Sequence, residues 1–310
     1  MSWAEISKEE YTSLFKNKYL SVFDSPQFAD INHHRCDKVV HIVYKNSKVR
    51  FGLIGGVVEN VLKLPFSAPY ANITPSSNNE KLAHYCDALK ELNNYIKEKK
   101  LGGISITLPP YIMHPSHLSK LTIALKANLF KLTSIDINHH FDLIEFNPDK
   151  YSNHLDIKSR QKLRTAFDNN LSFEIIKNLQ VAYDIIKKNR EFKGYPLRMS
   201  IDQLSQTLAE VNGFLHIVKD DKGTPIASCI SFEVSVDVVQ IIYWGNIPDS
   251  DILKPMNFMA FSIFCYFKQI GKKLIDIGPS SSTETNINFG LSDFKQSIGC
   301  NESLKVTFQA

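Results

Sequence analysis

A chain of 310 residues is longer than one hydrophobic core organises well and suits two domains of about 150 residues each. Apolar residues make up 43% and charged residues 22%, which excludes a disordered or collagen-like chain. The net charge of +4 is spread without a long block of one sign, so it neither demands nucleic acid nor excludes an anionic small ligand.

The first residues, Met1-Ser-Trp-Ala-Glu5, lack the basic start and apolar stretch of a signal peptide. A helix is predicted around Ser7–Leu20, with Ser7 and Glu10 spaced as a capping box. Strands are expected at Val39–Tyr44 and Val49–Val57, the second ending near Gly55-Gly56. A loop of proline and small residues, Pro65 to Pro75, leads to an amphipathic helix over Asn79–Lys99. Strand Gly103–Leu108, helix Pro115–Asn128 and strand-like residues Phe130–Phe146 complete the first half. A charged, helical crossover spans Asn147–Asn170.

The second half repeats that order. Strand Ser172–Ile176 precedes helices Gln180–Lys193 and Ile201–Val211. Strands Phe214–Lys219, Pro225–Val234 and Val238–Trp244 follow, joined by tight turns. Then come a helix from Pro255 to Gly271, strand Lys273–Ile277, a short helix near Gly290–Ile298 and strand Leu304–Phe308. The longest apolar run, Met256–Phe267, is far short of the roughly 20 residues of a membrane span. It reads as a buried helix, and with the leaderless start it sets the expectation of a cytoplasmic protein without a membrane span.

The halves overlay at a nearly constant offset of about 173 to 174 residues. Tyr70-Ala-Asn-Ile-Thr-Pro75 matches Trp244-Gly-Asn-Ile-Pro248, and Lys99-Lys-Leu-Gly-Gly-Ile-Ser-Ile106 matches Lys272-Lys-Leu-Ile-Asp-Ile-Gly278. The two matches flank the same long helix. The expected division is 1–148 and 149–310.

Five scattered cysteines without a C-x-x-C pair argue against a disulfide framework or a zinc site. The pairs His33-His34 and His139-His140 would point to opposite faces of a strand, and no H-E-x-x-H accompanies them, so no metal is expected. No G-x-S-x-G elbow and no phosphate-cradling G-x-x-x-x-G-K-[ST] loop occurs. Lys158, Arg160, Lys162 and Arg164 form stripes on the crossover helix, with Asp156–Arg160 as a possible pair; a solvated face explains them better than a phosphate site.

Strand, two helices, three strands, helix, strand, helix, strand is the order of the GNAT acyltransferase superfamily. Asp276-Ile-Gly-Pro-Ser-Ser281, followed by Asn288-Phe-Gly-Leu-Ser-Asp-Phe-Lys295-Gln-Ser-Ile-Gly299, resembles the ending of the Fem family of peptidoglycan-bridge aminoacyltransferases and their acyl-CoA-using relatives. Asn189-Arg-Glu-Phe-Lys-Gly194 and Tyr195-Pro-Leu-Arg198 are similar to this group too. The resemblance implies an α/β fold of two tandem GNAT-like units, each a mixed, mostly antiparallel sheet flanked by helices. It implies an N-acyltransferase moving an acyl group to an amine, an amino sugar or a peptide of cell-envelope biosynthesis, with the donor in the second half and the acceptor held by the first. Acyl-CoA would be a co-substrate, with no tightly bound cofactor.

One departure is plain. Where acyl-CoA-binding members carry a glycine-rich loop before the long helix, this chain reads Gly245 to Pro255 with one glycine. Acyl-CoA and aminoacyl-tRNA both stay open as donors, as does a ligand-binding protein without turnover. The oligomeric state is open as well.

Candidate residues follow from these placements. Lys295, beside Phe294, would stabilise charge on the reacting carbonyl. Asp276, flanked by Ile275 and Ile277, would accept a proton or cap the turn that follows. Tyr243 and Trp244 end the fourth strand and, with Ser280 and Ser281, would hold the donor's thioester and amides. Pro255 and Asn257 open the long helix, whose first N–H groups suit a pyrophosphate. Tyr70, Asn72, Tyr195, Arg198 and Asn288 are the candidates for the acceptor.

Overall fold

The computed structural model describes residues 1–283 and 286–310. Its first half runs β1 (Ser2–Glu5), α1 (Lys8–Phe15), α2 (Pro26–Ile31), β2 (Lys38–Lys45), β3 (Val49–Val58), β4 (Val61–Leu64), β5 (Thr74–Pro75), α3 (Leu82–Glu98), β6 (Gly103–Thr107), α4 (Pro115–Ala127) and β7 (Lys131–Asp142). The second runs α5 (Ile157–Asp168), β8 (Ser172–Ile176), α6 (Leu179–Lys193), α7 (Ile201–Glu210), β9 (Gly213–Lys219), β10 (Pro225–Glu233), β11 (Val238–Asn246), α8 (Pro255–Gln269), β12 (Leu274–Pro279), β13 (Ser281–Thr283), β14 (Asn286–Ile287), α9 (Phe289–Ser297) and β15 (Asn301–Gln309).

The chain forms two compact units, Met1–Ile137 with Ser303–Ala310, and Asn138–Glu302. Both follow the GNAT order, and each has a parallel strand pair, β4 with β6 in unit 1 and β11 with β12 in unit 2, among antiparallel ones. The last strands are exchanged. Leu304–Phe308, expected to finish the second copy, lies in unit 1, where β15 pairs antiparallel with β6 and sets Thr307 opposite Thr107. Alternation sends Val306 and Phe308 into the unit 1 core, which fixes that register. In unit 2 the neighbour of β12 is instead the Asn138–Asp142 stretch of β7.

In unit 1, α3 lays Tyr85, Leu89, Leu92 and Ile96 on one side and buries them against Ile42, Phe51, Leu62 and Ile104. The strand β1 and helix α2 were not legible in the sequence, being four and six residues long. Ser7 does accept from Glu10 N at 3.1 Å.

Unit 2 packs α8 through Met259, Ala260, Ile263, Phe264 and Phe267 onto Val239, Ile241, Ile275 and Ile277. Phe141 stacks on Phe264 with centroids 3.6 Å apart. The crossover helix α5 is capped by Asp156, whose Oδ1 accepts from Ser159 N at 2.8 Å, so this carboxylate serves the helix end rather than Arg160. The basic residues of α5 are exposed. Cys229 and Cys300 are buried, and all five cysteines are free.

Candidate active site

The parallel ladder between β11 and β12 pairs Val238 with Leu274, Val239 with Ile275 and Gln240 with Asp276, and goes no further. Both strands run on, to Asn246 and Pro279. They therefore part at Gln240 and Asp276, opening a notch in the sheet of unit 2. The pairing of β10 with β11 shifts at Ile230/Ser231, a bulge that bends β11 at this level.

The apex of the notch is polar and buried. Asp276 is fully enclosed. Its Oδ1 accepts from Asn138 Nδ2 at 2.7 Å and from Gly278 N at 3.0 Å, and its Oδ2 from Gln240 Nε2 at 2.8 Å. As alternation requires, the carboxylate leaves the face that Ile275 and Ile277 bury. These bonds on one carboxylate fix two amide side chains at the fork.

Helix α9 spans the two diverging strands. Phe294 meets Trp244 of β11 edge-on, with centroids 5.7 Å apart. Lys295 reaches β12, where its Nζ donates to Gly278 O and Pro279 O, each at 2.8 Å. The lysine is 2% exposed, so it is not a solvated helix lysine. Burial pulls its pKa from 10.5 down to about 8, with Asp276 opposing that fall. Two carbonyls occupy two of the three ammonium donors.

A third group lies beneath. His139, fully buried, faces Ser280 Oγ through Nδ1 at 3.1 Å and Ser292 Oγ through Nε2 at 3.2 Å. Burial, then the nearby Lys295, lowers its pKa to about 4, which leaves it neutral at physiological pH. His140 lies on the opposite face, across the ladder from Asp276. Among the described residues no cluster of histidine, cysteine and carboxylate groups could hold a metal.

On the β11 side, Tyr243 OH accepts from Met199 N at 3.2 Å. The Arg190 guanidinium sits over both the Tyr195 and Tyr243 rings, 5.8 and 5.6 Å from their centroids. Its buried Nε has no hydrogen-bond partner among the described residues, and the charge of Arg198 acts on it. Tyr195 OH accepts from Asn288 Nδ2 at 2.7 Å. Asn288 also caps α9, its Oδ1 accepting from Leu291 N at 3.0 Å. Gly245 is required where it stands: a Cβ there would come within 2.5 Å of Asn189, whose Nδ2 donates to Asn246 O at 2.7 Å.

The structure thus brings Lys295, Asp276, Ser280, Tyr243, Trp244, Tyr195, Arg198 and Asn288 to the notch or its margins. Ser281 begins β13 and is half-buried. Pro255 and Asn257 are buried at the start of α8. Before them stands a 3-10 turn, Pro248–Leu253, carrying exposed Asp249 and Asp251, and Lys254 in the left-handed region with φ 56°. Tyr70 and Asn72 are in unit 1 and buried. Asn72 N and Nδ2 each donate to the Asp24 carboxylate at 2.8 Å, and the Tyr70 ring meets Phe23 edge-on.

Sequence reasoning did not assign Asn138, His139, Gln240, Ser292 or Arg190. His139 stood in a histidine pair read only for metal, and Arg190 in a run noted only for its resemblance.

Several solved structures are similar to this chain in fold. FemX matches with a TM-score of 0.71 at 15% identity, over 100% of this chain and 97% of that one. The C-terminal domain of a putative lysylphosphatidylglycerol synthetase from Agrobacterium fabrum gives 0.62 at 10%, over 98% and 92%. A tandem GNAT protein from the clavulanic acid biosynthesis pathway gives 0.53 at 8%, over 100% and 98%. The fold is a tandem GNAT-like fold of the FemX type. No family model and no curated protein matches the sequence. At these identities the likeness concerns the fold. Among the described residues no helix is long and apolar enough to cross a membrane.

Proposed function

We propose that this protein transfers an acyl group to an amine, with the activated acyl carbonyl seated in the notch of unit 2 and attacked directly by the acceptor. The observation that carries the reading is the fork at Gln240/Asp276, bridged by a helix whose Lys295 is buried and cationic below about pH 8. A carbonyl entering the fork gains negative charge during attack, and the remaining Lys295 N–H would stabilise it most where water is excluded. Asp276 accepts from the Gln240 and Asn138 amides and holds them in place; it or a water chain takes the amine's proton. Arg190 and Arg198 offer cationic groups to an anionic part of either substrate.

The donor is an acyl-CoA thioester in the first reading, with an amino sugar or peptide amine as acceptor. The second reading is an aminoacyl ester of tRNA. It is favoured by the 3-10 turn before α8, whose Asp249 and Asp251 carboxylates would repel the pyrophosphate of coenzyme A. Calorimetric titration of the whole chain with acetyl-CoA and short acyl-CoAs tests this. Saturable binding supports the thioester; binding of aminoacyl-tRNA alone moves the donor to the second reading. Binding of neither overturns both.

A further inference from the structure

The C-terminal end of α6 and the start of α9 carry side chains beyond those placed at the notch margin. Within Lys187–Arg198 five side chains are basic and one, Glu191, is acidic. Glu191 is engaged with Lys187, 3.9 Å away. Lys188, Lys193 and Arg198 are exposed and have no ion-pair partner among the described residues. The same surface exposes large apolar side chains: Phe192 is 69% exposed and, on α9, Phe289 is 70% exposed, with Ile287 also exposed beside it. The Asn288–Tyr195 hydrogen bond at 2.7 Å ties the two stretches into one surface. The nearest opposing charge on α9 is exposed Asp293, one turn beyond Phe289.

Phenylalanine and isoleucine at this exposure gain nothing from water; the two phenylalanines stand on helix ends and Ile287 in the short strand β14 just before α9. Lysine and arginine around apolar side chains form the pattern that seats a protein on an anionic lipid surface. The rings enter the headgroup boundary and the cations sit among the phosphates. Single-stranded nucleic acid also pairs cations with rings. It takes rings that offer a flat face to a base, and aliphatic Ile287 offers none; a lipid boundary accepts all three apolar side chains alike. We infer that this face of unit 2, Phe192 and Phe289 with Lys188 and Lys193, docks the protein peripherally on a bilayer containing anionic phospholipid. The inference stands apart from the acyl-transfer reading, since among the described residues no hydrogen bond or ion pair joins any of these four side chains to the notch residues.

The test is sedimentation of the full chain with vesicles of phosphatidylcholine mixed with phosphatidylglycerol. Binding is expected to the mixed vesicles, and to fall off with added salt and in phosphatidylcholine alone. Lys188→Gln and Lys193→Gln should each weaken it about fivefold. Phe192→Ser with Phe289→Ser should abolish it while the melting temperature holds, because both side chains are largely in solvent. No sedimentation of the wild type, or equal binding by the phenylalanine double variant, overturns the inference. So does filter retention of a tRNA transcript, sensitive to the same substitutions, by a protein that ignores vesicles. Acyl-CoA titration of the double variant separates the two readings: unchanged donor binding with lost sedimentation leaves the notch intact, whereas vesicle binding without donor binding defeats only acyl transfer.

Discussion

The two units carry the same frame to opposite ends. In unit 1 the parallel ladder closes at Leu64 opposite Ile106, both buried and apolar. Past Leu64 the strand breaks into residues 65–73 before resuming as β5 against β3. That loop returns across the opening, and Ala71 N donates to Thr107 O at 3.0 Å. In unit 2 the ladder closes at Gln240 opposite Asp276, both buried and polar, and β11 runs on unbroken. One copy fills its fork with its own chain, and the other leaves it lined with polar groups. Enclosing a carboxylate and two amides costs free energy unless each is bonded, so a fold that needed only stability would have used the unit 1 solution twice. Where a frame is repeated, the copy that keeps the costly residues is the one to test for chemistry.

The comparison breaks most sharply at Lys295. Lys295→Met keeps the volume and removes the charge. Transfer of a labelled acyl group should fall about 10²–10³-fold with little change in donor affinity. Gly278 O and Pro279 O lose their donor, so the melting temperature should fall too, by the equivalent of about 1–3 kcal/mol. Wild-type turnover by a folded variant would remove the lysine from the chemistry.

The apex residues give the next contrast. Leu64→Ala opens a cavity in unit 1 and should cost about 2–5 kcal/mol by denaturant titration, while donor binding by the remaining folded protein is unchanged. Asp276→Asn turns one acceptor into a donor facing Asn138, Gln240 or Gly278 N, and should cost about 1–3 kcal/mol and disturb donor binding as well. If Leu64→Ala were the variant that lost the donor, the roles assigned to the two forks would be reversed.

The pH dependence sharpens the same point. Burial places the pKa of Lys295 at about 8, below the 10.5 of the exposed side chain. Between those values the folded chain binds fewer protons than the unfolded one, so this residue makes stability rise with pH across that window. A rate that needs the ammonium falls over the same window. A pH–rate profile dropping above about pH 8 while thermal stability at this site holds or improves would separate the two effects. A flat alkaline limb would argue that the charge does not act.

Much of this was legible in the sequence. The helices over Leu82–Glu98 and Pro255–Gln269 and the strands from β8 to β12 carry long, strongly periodic patterns, and their shared offset exposed the repeated order. The strand exchange was not. Alternation shows that Leu304–Phe308 buries one face, but not which edge receives it, because pairing partners are set by non-local contacts. Lys295 was found through the resemblance of the stretch ending Phe294-Lys295 to the Fem-family ending, and Asp276 through its place between two isoleucines. What surrounds them was hidden for the same reason as the strand exchange: Asn138 and His139 come from a strand more than a hundred residues upstream of Asp276. Tyr70 and Asn72 matched Trp244 and Asn246 in order, yet the loop of unit 1 folds inward and fastens Asn72 to Asp24, burying what the alignment alone would expose.

The smallest effect concerns the helix that follows each fork. In unit 1, α4 begins at Pro115 and its N-cap, His114, makes no capping hydrogen bond. In unit 2, Asn288 caps α9 through Oδ1 and holds Tyr195 through Nδ2. Asn288→Ala removes both contacts and should cost about 1 kcal/mol, a shift of a few degrees or less in a chain of this size. Asn288→Asp separates them. The carboxylate still accepts from Leu291 N and suits the positive end of the helix, so stability should return to within about 0.5 kcal/mol of wild type, but it can no longer donate to Tyr195. If the pin on Tyr195 positions a ligand, donor or acceptor affinity stays reduced in Asn288→Asp although the fold has recovered. If affinity recovers together with the melting curve, Asn288 is a cap like any other, and the margin of the notch ends at Arg190 and Tyr243.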